Sequence, residues 1–182
     1  MKRGVSRLNF RAGTREYRAI NDIDKINGLG HTGGAIGQNS TMKMPPDVEF
    51  HEDSRLLIWR PHGVLDESAI NQVVAVVSDL EAKLEAPFNR FSDTLAADEV
   101  ELNFKYVVHV SLHRRISYAG HPPVKSAILA TDSTIIHYAR LHAVLTQGSP
   151  IDVRVFQDRQ KAADWLDVSA ELLAAEAAHH DT

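Results

Sequence analysis

The chain has 182 residues and a mass of 20.2 kDa, with 43% hydrophobic and 24% charged residues, the balance of an ordinary globular domain. It contains no cysteine, which excludes a disulfide scaffold, a thiolate zinc site, an iron–sulfur cluster and a cysteine nucleophile. A net charge of −4 argues against nucleic acid as a partner, and apolar runs such as Val73–Val77 fall far short of the roughly 18 residues that span a membrane.

The charge is divided unevenly. Residues 1–46 hold eight Lys or Arg against three acids, a net of +5, and seven of the ten glycines; residues 47–182 hold 12 basic and 21 acidic residues, a net of −9. A basic, Gly-rich stretch cannot bury enough apolar surface to offset its ordering entropy, so 1–46 is expected to be disordered as far as Pro45-Pro46. Three readings compete for it: a flexible arm for an acidic partner, a targeting peptide, or an upstream extension with Met42 or Met44 as the natural start. The third is preferred. Gly28-Leu-Gly30-His-Thr-Gly33 matches a dinucleotide-binding pattern in letters alone, since no apolar strand precedes it and no helix-forming run follows.

From Asp47 the pattern turns regular. Val48–His51 and Leu56–Arg60 suit a β-hairpin around Glu52-Asp-Ser54. Asp66 or Ser68 can cap a helix whose apolar stripe is Ile70, Val73, Val74, Val77, Leu80 and Leu84, and Pro87 stops it. Phe88–Leu95 reads as a third strand. Residues 100–118 fit both periods, but Val124–Thr131 looks like a buried central strand, and a parallel connection into it needs a crossover of a dozen or more residues. The spacing therefore predicts a helix from Asn103 to Tyr118, after a short extended piece at Val100–Leu102. Ser133–Gln147 is a further helix, Ile151–Phe156 a strand, and Asp158 caps a helix carrying Ala162, Ala163, Trp165 and Leu166. Ser169–His180 adds a C-terminal helical tail. The order is that of an α/β two-layer sandwich with a mixed sheet of about five strands, an N-terminal β-hairpin and about four helices.

Within residues 47–168 stand, in order, Gly63-Val-Leu-Asp66, Phe91-Ser-Asp93-Thr, Pro122-Pro-Val-Lys125-Ser-Ala, Val155-Phe156 and Ala162-Ala-Asp-Trp165-Leu166. In these motifs the segment resembles the STAS/SpoIIAA-like family of small bacterial proteins, which is related to STAS and CRAL-TRIO lipid-transfer domains. The resemblance implies a STAS-like fold, a cytoplasmic location, no cofactor and no enzymatic chemistry. Its better-known relatives are regulators that bind a partner kinase and are switched by serine phosphorylation within Asp-Ser-Ser-Gly. The matching junction here reads Thr131-Asp132-Ser133-Thr134-Ile135, with Ile135 in place of the glycine. Asp132, Ser133 and Thr134 are thus candidates for a phosphoswitch or partner contact, set against the plainer reading that Asp132 and Ser133 cap a helix.

The alternative is ligand binding. Ligands of open α/β sheets sit beyond the carboxyl ends of parallel strands, an edge that would gather Asp93, Thr94, Thr131, Asp132 and Ser133. Lipid-transfer relatives imply an apolar or lipid-like occupant. His109 and His113 stand four apart, as metal-binding pairs do, but Arg114 and Arg115 follow directly, so no metal is expected and the histidines are read as surface or cap residues. An enzyme pairing Asp93 or Asp132 with a histidine such as His62 is the weakest reading. Trp59, Phe91, Phe104, Phe156 and Trp165 are assigned to the core, and a homodimer is compatible with an apolar helix face.

Overall fold

The computed structural model describes residues 44–174. The Gly28–Gly33 motif, most of the basic stretch, and His179 and His180 lie outside the described residues.

The expected hairpin forms from β1 (Val48–His51) and β2 (Leu56–Trp59), paired antiparallel with Val48 opposite Trp59. Arg55 closes its turn at φ +50°, and its guanidinium donates to the carbonyls of Ala86 and Pro87. The carbonyls beyond the end of the following helix are thereby tied to the hairpin. All four residues of β2 are buried, which requires cover on both faces of the sheet.

Next come β3 (Gly63–Asp66), α1 (Glu67–Lys83), β4 (Asn89–Asp93), β5 (Ala97–Glu101) and α2 (Phe104–Ser117). After them run β6 (Val124–Leu129), α3 (Ser133–Leu145), β7 (Ile151–Phe156), α4 (Arg159–Leu166) and α5 (Ala170–Leu173). The main sheet has five strands in the order β1-β2-β4-β6-β7, parallel throughout except for β1, so β4 is its centre and β6 an interior strand. This is the mixed α/β sheet expected from the sequence. To it is added a parallel two-stranded ribbon, β3 with β5. The extended piece expected at Val100–Leu102 is the end of that ribbon, shifted to Ala97–Glu101.

Each helix begins at a side chain that accepts a first-turn N–H. Asp66 accepts from Ala69, Asn103 from Tyr106, Asp132 from Thr134 and Ile135, Asp158 from Lys161, and Ser169 from Leu172. Such caps are each worth about 1 kcal/mol.

Two cores follow from the pleat. Leu57, Trp59, Val76, Val77 and Ile135 bury one face of the sheet under α1 and α3. Leu56, Ile58, Phe91, Ala127 and Leu129 bury the other under Ala162, Ala163, Leu166 and Leu173 of α4 and α5. The sandwich thus gains a thin layer on its second face. Trp59 and Phe91 are core residues, and Phe156 and Trp165 lie against each other, their ring centroids 5.5 Å apart. Phe104 is not a core residue: it opens the first turn of α2 and is 57% exposed. Phe91 is fully buried at the centre of the second core. Phe91→Ala is expected to lower stability by about 3–5 kcal/mol in urea unfolding with the m-value unchanged.

Candidate functional site

The pleat that sends Phe91 and Asp93 to one face sends Arg90 and Ser92 to the other. On β6, Ser126 and Ile128 share that face with them. Ser126 stands beside Arg90 and Ser92 beside Ile128, so the two serines are diagonal neighbours on interior strands, and both are too short to reach the helices above. A cavity of about 180 Å³ stands over them. Its walls are otherwise mainly aliphatic: Val73, Val74 and Val77 of α1, Val107 and Val110 of α2, and Ile135 and Ala139 of α3. Trp59 and Leu57 close it on the β2 side.

Polar groups also reach its wall. Arg90 projects from the central strand, is 8% exposed, and lies 5.1 Å from the ring centre of Tyr118 and 5.5 Å from that of Phe88. Its Nη2 donates to Glu81 Oε1 and, at 3.1 Å, to Tyr118 Oη. Arg114 on α2 donates to the same Glu81 oxygen at 3.0 Å. Two guanidiniums therefore share one carboxylate. Burial, and then Arg114, pull the Arg90 pKa below its usual value, while Glu81 opposes the shift. The Tyr118 hydroxyl is pushed up, chiefly by burial.

His142 completes the polar end. Its Nδ1 lies 2.8 Å from Ser111 Oγ, which is 2.6 Å from the Val107 carbonyl oxygen. A hydroxyl has one proton and a carbonyl none, so Ser111 donates to Val107 and the imidazole Nδ1–H donates to Ser111. Burial, then Arg114 and Arg90, lower the His142 pKa to about 4, and the ring is neutral at pH 7. Serine and histidine stand at the distance of a nucleophile and its base. Yet Ser111 is fully buried, its proton is turned onto its own helix, and it is not on the cavity wall. His142 is not the surface or cap residue expected of the histidines.

Of the residues expected at a pocket edge, Thr94 lines the cavity and donates to the Leu129 carbonyl at 2.8 Å. Asp93 faces the opposite side, where Arg159 donates to it at 2.9 Å. Thr131, Asp132, Ser133 and Thr134 are exposed at the head of α3. There the Asp132 carboxylate already accepts from two first-turn N–H groups. Arg90, Ser92, Arg114, Ser126 and His142 were not singled out from the sequence as pocket residues. A signal existed for one of them: Ser126 is a polar residue within the largely apolar run Val124–Leu129.

Among the described residues no three His, Asp or Glu side chains gather as a metal site would require, and no helix is long and apolar enough to cross a membrane. No family model and no curated protein matches the chain. Among solved structures it is similar to an uncharacterized protein from the DUF3478 family with a SpoIIAA-like fold from Shewanella loihica PV-4. The two are 18% identical, over 65% of this chain and 89% of that one, with a TM-score of 0.43.

The unfolded chain protonates His142 near pH 6.5, whereas the folded one resists until about pH 4. Between those values the unfolded state binds more protons, so stability falls as pH falls, by up to about 3 kcal/mol from this group. His142→Asn is expected to flatten that part of the pH–stability curve measured by urea unfolding.

Proposed function

We propose that this domain binds a small apolar or amphipathic ligand in the cavity between its sheet and helices, without transforming it. The observation that carries the reading is the pair Ser92 and Ser126. They leave an aliphatic-walled space of about 180 Å³ open over interior strands, where larger side chains would fill the core. Unfilled core volume lowers stability in proportion to its size, so its presence over the two serines favours a space kept for an occupant. Engineered apolar cavities of about 150 Å³ take up benzene, so the available space suits about six to eight carbon atoms.

Regulation through a protein partner around Asp132, Ser133 and Thr134 is the less supported reading. Ser133 is exposed at a helix start, but a phosphate on it would compete with the Asp132 carboxylate for the same N–H groups and be repelled by its charge. Catalysis has weaker support still, since His142 lines the cavity but Ser111 does not and gives its proton to the Val107 carbonyl.

A neutral probe tests the binding reading. Octan-1-ol at millimolar concentration is expected to raise the melting temperature in a saturable way, because a ligand held by the folded state alone stabilises it by mass action. Ser126→Leu, which fills the space, should keep the fold by circular dichroism and abolish the shift. An octan-1-ol response identical in the filled variant would overturn the reading.

A further inference from the structure

A buried arginine on the central strand of a sheet is costly unless its charge is matched and its donors are used. At Arg90 each condition is met only in part. The charged groups acting on it are Arg114 and Glu81, and with His142 and Tyr118 neutral the cluster holds one positive charge in excess. Both bonds described above leave from Nη2, and the buried Nε–H has no acceptor. Arg114, 6% exposed, leans on the same carboxylate oxygen that Arg90 uses. Arg90 and Arg114 both line the cavity and Glu81 does not. Two arginines that carry a desolvated surplus charge therefore stand beside an apolar space.

The missing component is an anion with an apolar body. Resting on the binding reading above, we propose that the ligand is a medium-chain carboxylic acid. Its carboxylate is held by Arg90 and Arg114 and its alkyl chain occupies the aliphatic part of the cavity. A carboxylate supplies the absent negative charge beside the two arginines of the cavity wall. Guanidinium–carboxylate bonds are roughly twice as strong as neutral ones, and an apolar surround strengthens them further. The available volume favours this compact head over a bulkier phosphate.

Calorimetry on the full chain at neutral pH, with octanoate, octan-1-ol and octylammonium, separates the possibilities. Octanoate should bind at least about tenfold tighter than octan-1-ol, and octylammonium should not bind. Arg114→Gln should remove most of the difference between acid and alcohol while leaving alcohol binding in place. Glu81→Gln, which enlarges the positive surplus, should tighten octanoate severalfold; either variant, confirmed folded by circular dichroism, serves if the other does not fold. Equal affinity for acid and alcohol would overturn the headgroup assignment while leaving the cavity as a neutral apolar site. Binding of neither would overturn the ligand-binding reading as well.

Discussion

Strand β4 sits at the middle of a sheet that is covered on both faces, and the two-residue period of its pleat divides its side chains between two environments. Phe91 enters a dry core beneath α4 and α5. Arg90 and Ser92 enter the space beneath α1, α2 and α3. The second face cannot close as the first does, because Ser92 on β4 and its diagonal neighbour Ser126 on β6 stand where aliphatic side chains would otherwise meet the helices. A single alternation thus produces a filled core on one side and an open one on the other.

The charge buried at the open side needs structural support, and three elements supply it. Glu81 from α1, Arg114 from α2 and Arg90 from β4 converge on one carboxylate oxygen. Tyr118, just past the end of α2, lies against both guanidiniums. These contacts make the end of α1, the end of α2 and the central strand mutually dependent. In such a medium an ion without its partner is expensive, which is why the cluster's surplus positive charge is its most informative property. Neutral His142 fits the same logic, since a third cation there would add to the repulsion.

Much of the fold is legible in the chain itself. Local chemistry carries the hairpin, the helix from Asn103, and the caps at Asp66, Asp132 and Asp158, because each depends on residues within a few positions of one another. The resemblance of residues 47–168 to the SpoIIAA-like family rested on the order of short motifs and pointed to the same α/β sheet. The ribbon of β3 and β5 was not legible: each strand is short, Gly63 takes a left-handed φ of +70°, and the pairing joins segments some 35 residues apart. The exposure of Phe104 was hidden for a related reason, since a position on a helix does not say whether another element packs over it.

The candidate site divides along the same line. By itself the sequence determined the strands of the main sheet, the long helices and their caps, because propensity and periodicity act over a few residues. Only the tertiary structure decided that Arg90, Glu81 and Arg114 share one oxygen and that Asp93 and Thr94 look to opposite faces. It alone opened the space over Ser92 and Ser126. Those outcomes depend on register between parallel strands and on which helix crosses above them, contacts set by long-range packing that no local pattern encodes.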